Sequence, residues 1–216
     1  MKHYFVKTPL LAKLIFNKWK WSFTKKEKTL YLTFDDGPTS EVTNWVLEQL
    51  LKHNAKATFF CIGKNIQQNP ELFSEIVNQG HTVGNHTNNH LKSFETSKEK
   101  YIQNVLEAEQ EIKKIINLST TQKSKLFRPP YGKLKLSQSK ILRKKGYKII
   151  MWDVLSADFD TEISKEICMH NVVKNTSKGS IIVFHDSIKA FEKVKFVLPQ
   201  ILEYFSEKGY NFKAIA

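Results

Sequence analysis

The sequence predicts an α/β protein built on one parallel β-sheet that closes, or nearly closes, into a β/α barrel. Seven short apolar runs, rich in β-branched and aromatic residues, alternate with helical patterns, which is typical of parallel strands joined by crossover helices. The runs are almost continuously apolar, as expected for strands covered on both faces. An open doubly wound sheet is the alternative, although the absence of a GxGxxG sequence after any run disfavours its dinucleotide-binding version.

The first half of the chain contains three predicted strands, with the sequences TLYLTF, ATFFCI and HTVGNH. Ser40 is expected to cap the first helix, Pro70 to begin the second, and Gly80 to end the second. A third, longer helix follows, because apolar residues recur there at helical spacing. Its apolar stripe consists of Tyr101, Val105, Ala108, Ile112 and Ile115.

The second half contains four predicted strands, with the sequences KLFR, YKIIMWDV, SIIVFHD and YNFKAI. A helix before the second of these strands is expected to end at Gly146, and another is expected around Ile163 and Ile167. Pro199 should interrupt the last helix, because proline lacks the N–H group of a helix interior.

The length of 216 residues favours a single domain with one core, and 41% hydrophobic residues are typical of a globular protein. The 34 basic and 21 acidic residues give a formal charge of +13, which favours an anionic partner. The lysines are spread over most of the chain, so a solvated basic surface is the alternative. RNA-binding signatures and zinc-finger spacing are absent, which predicts no nucleic-acid partner. A monomer is expected. The two cysteines, Cys61 and Cys168, are interpreted as inert buried thiols.

Residues 1–27 form a basic and aromatic segment that precedes a predicted domain over residues 28–216. The segment shows neither a signal peptide nor a membrane-spanning run, which suggests a location in the cytoplasm or at the inner face of the membrane. Its aromatic residues Trp19, Trp21 and Phe23 alternate with lysines. Two hypotheses stay open: peripheral contact with a membrane interface, or packing against the bottom of the domain.

Polar residues follow five of the predicted strands, at the point where each strand ends. In a β/α barrel these positions share the C-terminal face, where active sites are built. The residues are Asp35, Asp36, His86, His90, Arg128, Asp158, His185 and Asp186.

The sequence HTNNH spaces two imidazoles at i and i+4, which would place both on one side of a helical turn. Two imidazoles and one carboxylate form a common catalytic zinc site that keeps positions open for water and substrate. One residue of the Asp35-Asp36 pair would supply the carboxylate, and its neighbour would stay free to act as a base.

Four motifs, TFDDGP, HTNNH, RPPYG and IIVFHD, occur in the order and spacing of a known family. From Thr29 to about Phe212 the chain resembles the polysaccharide deacetylases, the NodB-homology or carbohydrate esterase family 4 group. The resemblance implies a distorted (β/α)7 barrel and a zinc-dependent deacetylase, with Co2+, Ni2+ or Mn2+ as alternative metals.

The same resemblance implies roles for individual residues. The metal ligands would be Asp36, His86 and His90. The catalytic residues would be Asp35 as general base, Arg128 as its partner, His185 as general acid and Asp158 as the partner of His185. Substrate would meet a backbone N–H near Tyr131 and an apolar wall of Phe159 and Val183.

One motif departs from the family pattern. In WDVLSADFD, Leu155 stands where the family commonly has an aspartate, and Phe159 stands where it has a tryptophan. Because Asp158 is kept, this departure bears on substrate preference rather than on the reaction type.

Three functions follow as hypotheses. The leading one is removal of N-acetyl groups from an N-acetylglucosamine-containing glycan, either peptidoglycan or a chitin-like oligosaccharide. The basic charge of the chain favours an anionic glycan. An O-acetyl esterase or a small-amide hydrolase would use the same metal site. A silent glycan-binding module is disfavoured, because Asp35 and His185 are both present.

Overall fold

A single curved sheet of parallel strands forms the centre of the computed structural model, which describes residues 4–116 and 124–216. The described strands are β1 (Thr29–Asp35), β2 (Thr58–Cys61), β3 (Thr82–Asn85), β4 (Lys125–Phe127), β5 (Tyr147–Ile149), β6 (Val154–Leu155), β7 (Ile181–His185) and β8 (Asn211–Phe212). Their order is β5-β4-β3-β2-β1-β7-β6, and β8 pairs with the start of β1. Over the described residues, this half-barrel in a single domain confirms the predicted distorted (β/α)7 fold.

Helices surround the sheet. They are α1 (Leu10–Ile15), α2 (Ser40–Lys52), α3 (Gly63–Gln68), α4 (Pro70–Asn78), α5 (Lys98–Ile115), α6 (Leu136–Lys144), α7 (Lys165–Asn175) and α8 (Phe191–Glu207). No helix in the described ranges combines the length and the apolar character needed to cross a bilayer.

Alternation along the strands divides the apolar core into two layers. On β2, Phe59 belongs to the layer between the sheet and the outer helices, together with Phe34 of β1. Phe60, its neighbour, belongs to the layer inside the barrel, where it packs with Leu126 and Ile181. The fully apolar strands predicted from the sequence are therefore covered on both faces.

Three predicted helix boundaries are wrong. Ser40 is the first residue of α2 rather than its cap, and its hydroxyl donates to Oδ1 of Asn69 at 2.7 Å. Ile163 is buried ahead of α7, which begins at Lys165. The expected break at Pro199 does not occur, because the packing of one apolar stripe of α8 outweighs the loss of a single helical hydrogen bond. That buried stripe includes Val194, Val197, Leu198, Ile201 and Leu202.

The run YKIIMWDV is not one strand, as the sequence had predicted. β5 ends at Ile149 and β6 begins at Val154, because the intervening backbone changes neighbours. The Ile150 N–H donates to a carbonyl of β4, whereas the Asp153 N–H donates to the carbonyl of Ile181 on β7. The chain therefore passes across the open side of the barrel, from one edge of the sheet to the other.

Residues 4–23, here called the N-terminal strap, cover both edges of the sheet. The N–H of Leu155 in β6 donates to the carbonyl of Val6 at 2.8 Å. The N–H of Lys20 donates to the carbonyl of Ile149 in β5, also at 2.8 Å. Unpaired edge strands are open to pairing with other chains, so the strap protects this sheet.

The aromatic residues of the strap pack against the barrel, which was one of the two hypotheses from the sequence. Trp19 is buried, and its Nε1–H donates to Oγ of Ser139 in α6 at 2.8 Å. Phe16 stacks on Trp19 with ring centroids 4.5 Å apart. The division into residues 1–27 and 28–216 stays a prediction, and residues 1–3 of that segment lie outside the described ranges.

Candidate active site

Three potential metal ligands meet at the C-terminal ends of β1 and β3, an end of the barrel that we call the mouth. Oδ1 of Asp36 lies 3.3 Å from Nε2 of His90 and 3.7 Å from Nε2 of His86. The three ligand atoms are all within 4.8 Å of one another. Oδ1 of Asp36 is buried, and no donor among the described residues reaches it. A buried carboxylate oxygen without a donor, facing two imidazole nitrogens, fits a divalent cation.

Both imidazoles favour the neutral form that a cation requires, and a hydrogen bond fixes the tautomer of His86. Nδ1 of His86 lies 2.8 Å from the carbonyl oxygen of Arg128, which only accepts hydrogen bonds, so Nδ1 carries the hydrogen and Nε2 carries the lone pair. Burial lowers the pKa of His86 to about 3. Burial also lowers the pKa of His90. Neutral imidazoles at physiological pH leave their lone pairs available to a metal.

The HTNNH loop is not the helical turn that its spacing predicted. Thr87 and His90 both have left-handed backbone conformations, with φ of 65° and 53°. Oδ1 of Asn104, on α5, accepts hydrogen bonds from the backbone N–H groups of Asn88 and Asn89 at 3.0 and 3.1 Å. The loop shape that brings the two imidazoles to 5.1 Å between ring centroids is thus set by a side chain from a distant helix.

Asp35, the neighbour of the candidate ligand, is paired with a buried arginine. Its Oδ1 lies 2.7 Å from Nη1 of Arg128, and Arg128 is fully buried. The guanidinium also donates to Oγ1 of Thr33 and to the carbonyls of Ile150 and Met151. Those carbonyls are free to accept because the chain leaves the sheet after β5. This fixed fork of donors holds the Asp35 carboxylate in one orientation.

The two adjacent aspartates point in different directions. Asp35 is the last residue of β1, whereas Asp36 has a left-handed backbone with φ of 85°. The change of backbone turns one carboxylate toward Arg128 and the other toward the two histidines. Neighbouring carboxylates can therefore occupy separate environments.

His185 and Asp158 form a second charged pair at the mouth. Nδ1 of His185 lies 2.7 Å from Oδ1 of the fully buried Asp158, and the backbone N–H of His185 donates to Oδ2 at 2.7 Å. Burial by itself would lower the pKa of His185, but the charge and hydrogen bond of Asp158 raise this pKa to about 10. The imidazole is therefore protonated at neutral pH, with Nε2–H as a donor.

The three residues expected to contact substrate lie near these pairs. Phe159 contacts His185 edge to face, with ring centroids 5.2 Å apart. Tyr131 is 55% exposed, and its ring centroid lies 4.6 Å from that of His90. Val183 lies two residues before His185 on β7 and is 1% exposed, so it backs the site more than it lines it.

Asp186 is a buried residue of the site to which the sequence gave no role. Its Oδ1 accepts from the N–H of Gly37 at 2.9 Å, and its Oδ2 accepts from the hydroxyl of Thr43 at 2.6 Å. Burial raises the pKa of Asp186 to about 7. A Cβ on Gly37 would lie 1.9 Å from Oδ2 of Asp186, so only glycine fits there. The sequence contains one indication of a buried polar partner here, because Thr43 places a hydroxyl among the apolar residues of α2.

Barrel and mouth together define the class of protein as an α/β barrel with a candidate site for a divalent cation. The family model described as "Polysaccharide deacetylase" matches residues 23–150. The chain belongs to this family, which confirms the resemblance seen in its motifs. It is similar to a peptidoglycan-N-acetylglucosamine deacetylase of Bacillus cereus, with 32% identity over 197 residues that cover 91% of this chain and 90% of that protein.

Solved structures show the same relationship. A peptidoglycan N-acetylglucosamine deacetylase in complex with 4-naphthalen-1-yl-N-oxidanyl-benzamide is similar with a TM-score of 0.86 and 28% identity, over 96% of this chain and 95% of that one. A CE4 family pseudoenzyme from Bacillus anthracis is similar with a TM-score of 0.79 and 25% identity, over 90% of this chain and 66% of that one.

Proposed function

We propose that this chain is a metal-dependent hydrolase that removes N-acetyl groups from an N-acetylglucosamine-containing glycan, with peptidoglycan as the first substrate to test. The observation that carries the proposal is Oδ1 of Asp36, buried without a donor and facing Nε2 of His86 and His90. The substrate class is supported by the Bacillus cereus relative, whose matched region covers nearly all of both chains.

Asp36, His86 and His90 would hold the cation. One carboxylate oxygen and two imidazole nitrogens suit Zn2+, and the same donors also accept Co2+, Ni2+ or Mn2+. When bound, such a cation polarises an acetamide carbonyl and lowers the pKa of water.

Asp35 would act as the general base. Its carboxylate takes a proton from the water oxygen as that oxygen bonds to the acetyl carbon. Arg128 keeps the carboxylate in place through the 2.7 Å contact between Nη1 and Oδ1. The backbone N–H of Tyr131 would donate to the oxyanion that develops on the acetyl oxygen.

His185 would act as the general acid. As the C–N bond breaks, Nε2–H gives its proton to the leaving amine, because an amide anion is a poor leaving group. Asp158 fixes the ring and stabilises the imidazolium through the 2.7 Å contact at Nδ1. Phe159 beside His185, backed by Val183, would receive the acetyl methyl group.

The experiment measures acetate release after removal of metal by a chelator and stepwise return of Zn2+. We expect acetate from N-acetylglucosamine oligomers or peptidoglycan only after metal is returned, and no return of activity in Asp36→Asn. Preferred release from O-acetylated sugars would instead favour the esterase hypothesis.

The silent-module hypothesis has one specific observation in its favour, which is the similarity to a CE4 family pseudoenzyme. This chain nevertheless has candidates for the base and the acid, each paired with its own partner, and three candidate ligands whose atoms lie within 4.8 Å of one another. Glycan binding without acetate release from any substrate, at full metal occupancy, would favour the silent module.

A further inference from the structure

Helix α1 turns its charged residue toward the protein and its large apolar residues toward solvent. Its charged residue, Lys13, turns toward the protein and forms an ion pair with Asp153, which is buried. Its four large apolar side chains face solvent instead, with exposures between 62% and 71%. We call this set the apolar ridge, and its members are Leu10, Leu11, Leu14 and Ile15.

The geometry of the helix explains how the ridge forms. Leu10 and Leu14 are separated by four residues, as are Leu11 and Ile15, so the two pairs lie side by side on one face. Contiguous exposed apolar side chains of this kind mark interaction surfaces in soluble proteins. The ridge is therefore a candidate docking face.

A basic groove reaches helix α1 at Lys13. Its volume is about 1140 Å3, and it runs between the strap, the end of α6 and the start of β5. No acidic side chain lines it among the residues that the structure describes. Its cationic residues are Lys13, Lys18, Lys20, Lys140, Arg143, Lys144 and Lys148.

Helix α1 and one end of the groove lie at the N-terminal ends of the strands, an end that we call the base. Lys13 of α1 pairs with Asp153, directly ahead of β6. Gly146 and Tyr147 line the groove at the start of β5, and the groove continues along this strand to Ile149. The candidate active site lies at the opposite ends of the strands, where Asp35 and His185 are the last residues of β1 and β7.

We propose that the side of the base formed by α1 and the groove docks on an anionic lipid bilayer, with the apolar ridge inserted among the headgroups and the groove cations in contact with lipid phosphates. An exposed apolar strip flanked by lysines is the composition of an interfacial helix. Each basic residue near an anionic leaflet strengthens the attraction. Docking in this way points the mouth away from the bilayer.

Charge decides between a bilayer and a second copy of the chain. In a dimer formed through this end of the barrel, the basic grooves of the two copies would face each other without acidic side chains between them. Like charges across an interface repel. Anionic headgroups neutralise the same residues. The proposal depends on neither the metal site nor the identity of the glycan.

The first test is co-sedimentation with vesicles of phosphatidylcholine alone and of phosphatidylcholine with phosphatidylglycerol. We expect binding to the anionic vesicles only. Leu11→Gln should weaken that binding roughly tenfold, because the burial of one leucine is lost. The matched control is Leu51→Gln on α2, where the leucine is 66% exposed, against 67% for Leu11.

The second test removes charge. Lys144→Gln with Lys148→Gln should weaken binding roughly fivefold per lysine, whereas Lys52→Gln on α2 should not. Thermal unfolding and acetate release from a short neutral oligomer should match the parent in all of these variants, because the changed side chains are exposed and lie away from the mouth.

Four outcomes would overturn the proposal. One is equal sedimentation of Leu11→Gln and the parent protein with anionic vesicles. A second is no sedimentation of the parent with these vesicles. Another is a concentration-dependent dimer that Leu11→Gln abolishes, which would make the ridge a contact between copies. The last is binding of a soluble polyanion by the groove without vesicle binding.

Discussion

The mouth and the base of this barrel use charge in opposite ways. At the mouth, charged groups are buried and paired: Asp35 with Arg128, and His185 with Asp158. At the base, Lys144 and its neighbours are exposed and line a groove. Among the residues that the structure describes, no acidic side chain lines this groove.

The two arrangements of charge suit different interactions. Desolvated pairs are fixed in position and act at full strength on atoms within a few ångströms, which suits proton transfer. Exposed lysines act through their number, over a range that salt limits to roughly 8 Å at physiological ionic strength. Substitutions at the mouth should therefore have large, residue-specific effects, and substitutions at the base should have small, salt-dependent ones.

The largest expected effect follows from removal of a candidate ligand. His86→Ala should lose both the bound metal and acetate release, because two remaining ligands do not retain a catalytic cation. Metal content per chain and activity are measured on the same sample. His170→Ala, at an exposed histidine of α7, is the control and should keep both. Full metal content in His86→Ala would show that the ligand assignment is wrong.

Asp35→Asn should keep its metal and lose activity by about a hundredfold or more, because the base is removed while the ligands stay. The matched variant is Asp36→Asn, which should lose metal as well. These two measurements separate adjacent residues. If Asp35→Asn is the metal-depleted variant, the two aspartates have the opposite roles.

The His185–Asp158 pair should behave as one unit. His185→Ala should lower kcat about a hundredfold or more, and adding Asp158→Asn should cost little further. Losses that multiply in the double variant would contradict the pairing.

The pH profile gives a second measurement of that pair. Asp158 raises the pKa of His185, so the acid is protonated below its folded pKa and is lost as pH rises through that value. Asp158→Asn removes the charge that offsets the effect of burial on the pKa of His185, so this pKa falls. The alkaline limb of the kcat profile should therefore move to lower pH. A bound cation would move the alkaline limbs of the parent and of Asp158→Asn to lower pH, and the limb of the variant would still lie at the lower pH. An unmoved limb would mean that another group sets it.

A smaller effect is expected behind the mouth. Thr43→Val leaves Oδ2 of the buried Asp186 without its hydroxyl donor, so the free energy of unfolding should fall by about 1–3 kcal/mol. Turnover should fall with it, because Asp186 also holds Gly37 beside the two aspartates. Thr43→Ser keeps the hydroxyl and is the control. Denaturant titration measures the free energy of unfolding of both variants. Equal stability would show that the hydrogen bond from Thr43 to Asp186 does not stabilise the fold.

The smallest effect concerns the exposed charge. The apparent KM for an anionic glycan polymer should rise with salt while kcat stays nearly constant, because attraction by surface lysines is screened. A neutral N-acetylglucosamine oligomer should show little change in either. Parallel KM curves for the two substrates would confine the role of the basic charge to partners other than the substrate.

Much of the fold followed from the sequence, because strand and helix patterns are local. The alternation of apolar runs with helical periodicity predicted the parallel barrel, and strand-end positions predicted which polar residues meet. Pro199 shows the limit of such inference: a local rule predicted a break, and the packing of a long buried stripe on α8 overrides it.

The site shows the same division. The HTNNH spacing indicated two neighbouring imidazoles but predicted the wrong backbone, because Asn104, sixteen residues beyond Asn88, shapes the loop. Asp186 received no role because its partners, Gly37 and Thr43, are 149 and 143 positions away. Contacts between residues so far apart in the chain produce no local sequence pattern.

The kind of chemistry could be predicted from the sequence alone, since the residue types at the ends of the strands and their motifs indicate the family. Only the folded chain shows which carboxylate faces the histidines, that the strap covers the sheet edges, and that the apolar side chains of α1 stay outside. Residue type and period are local properties, whereas burial and partner choice depend on segments distant in the chain.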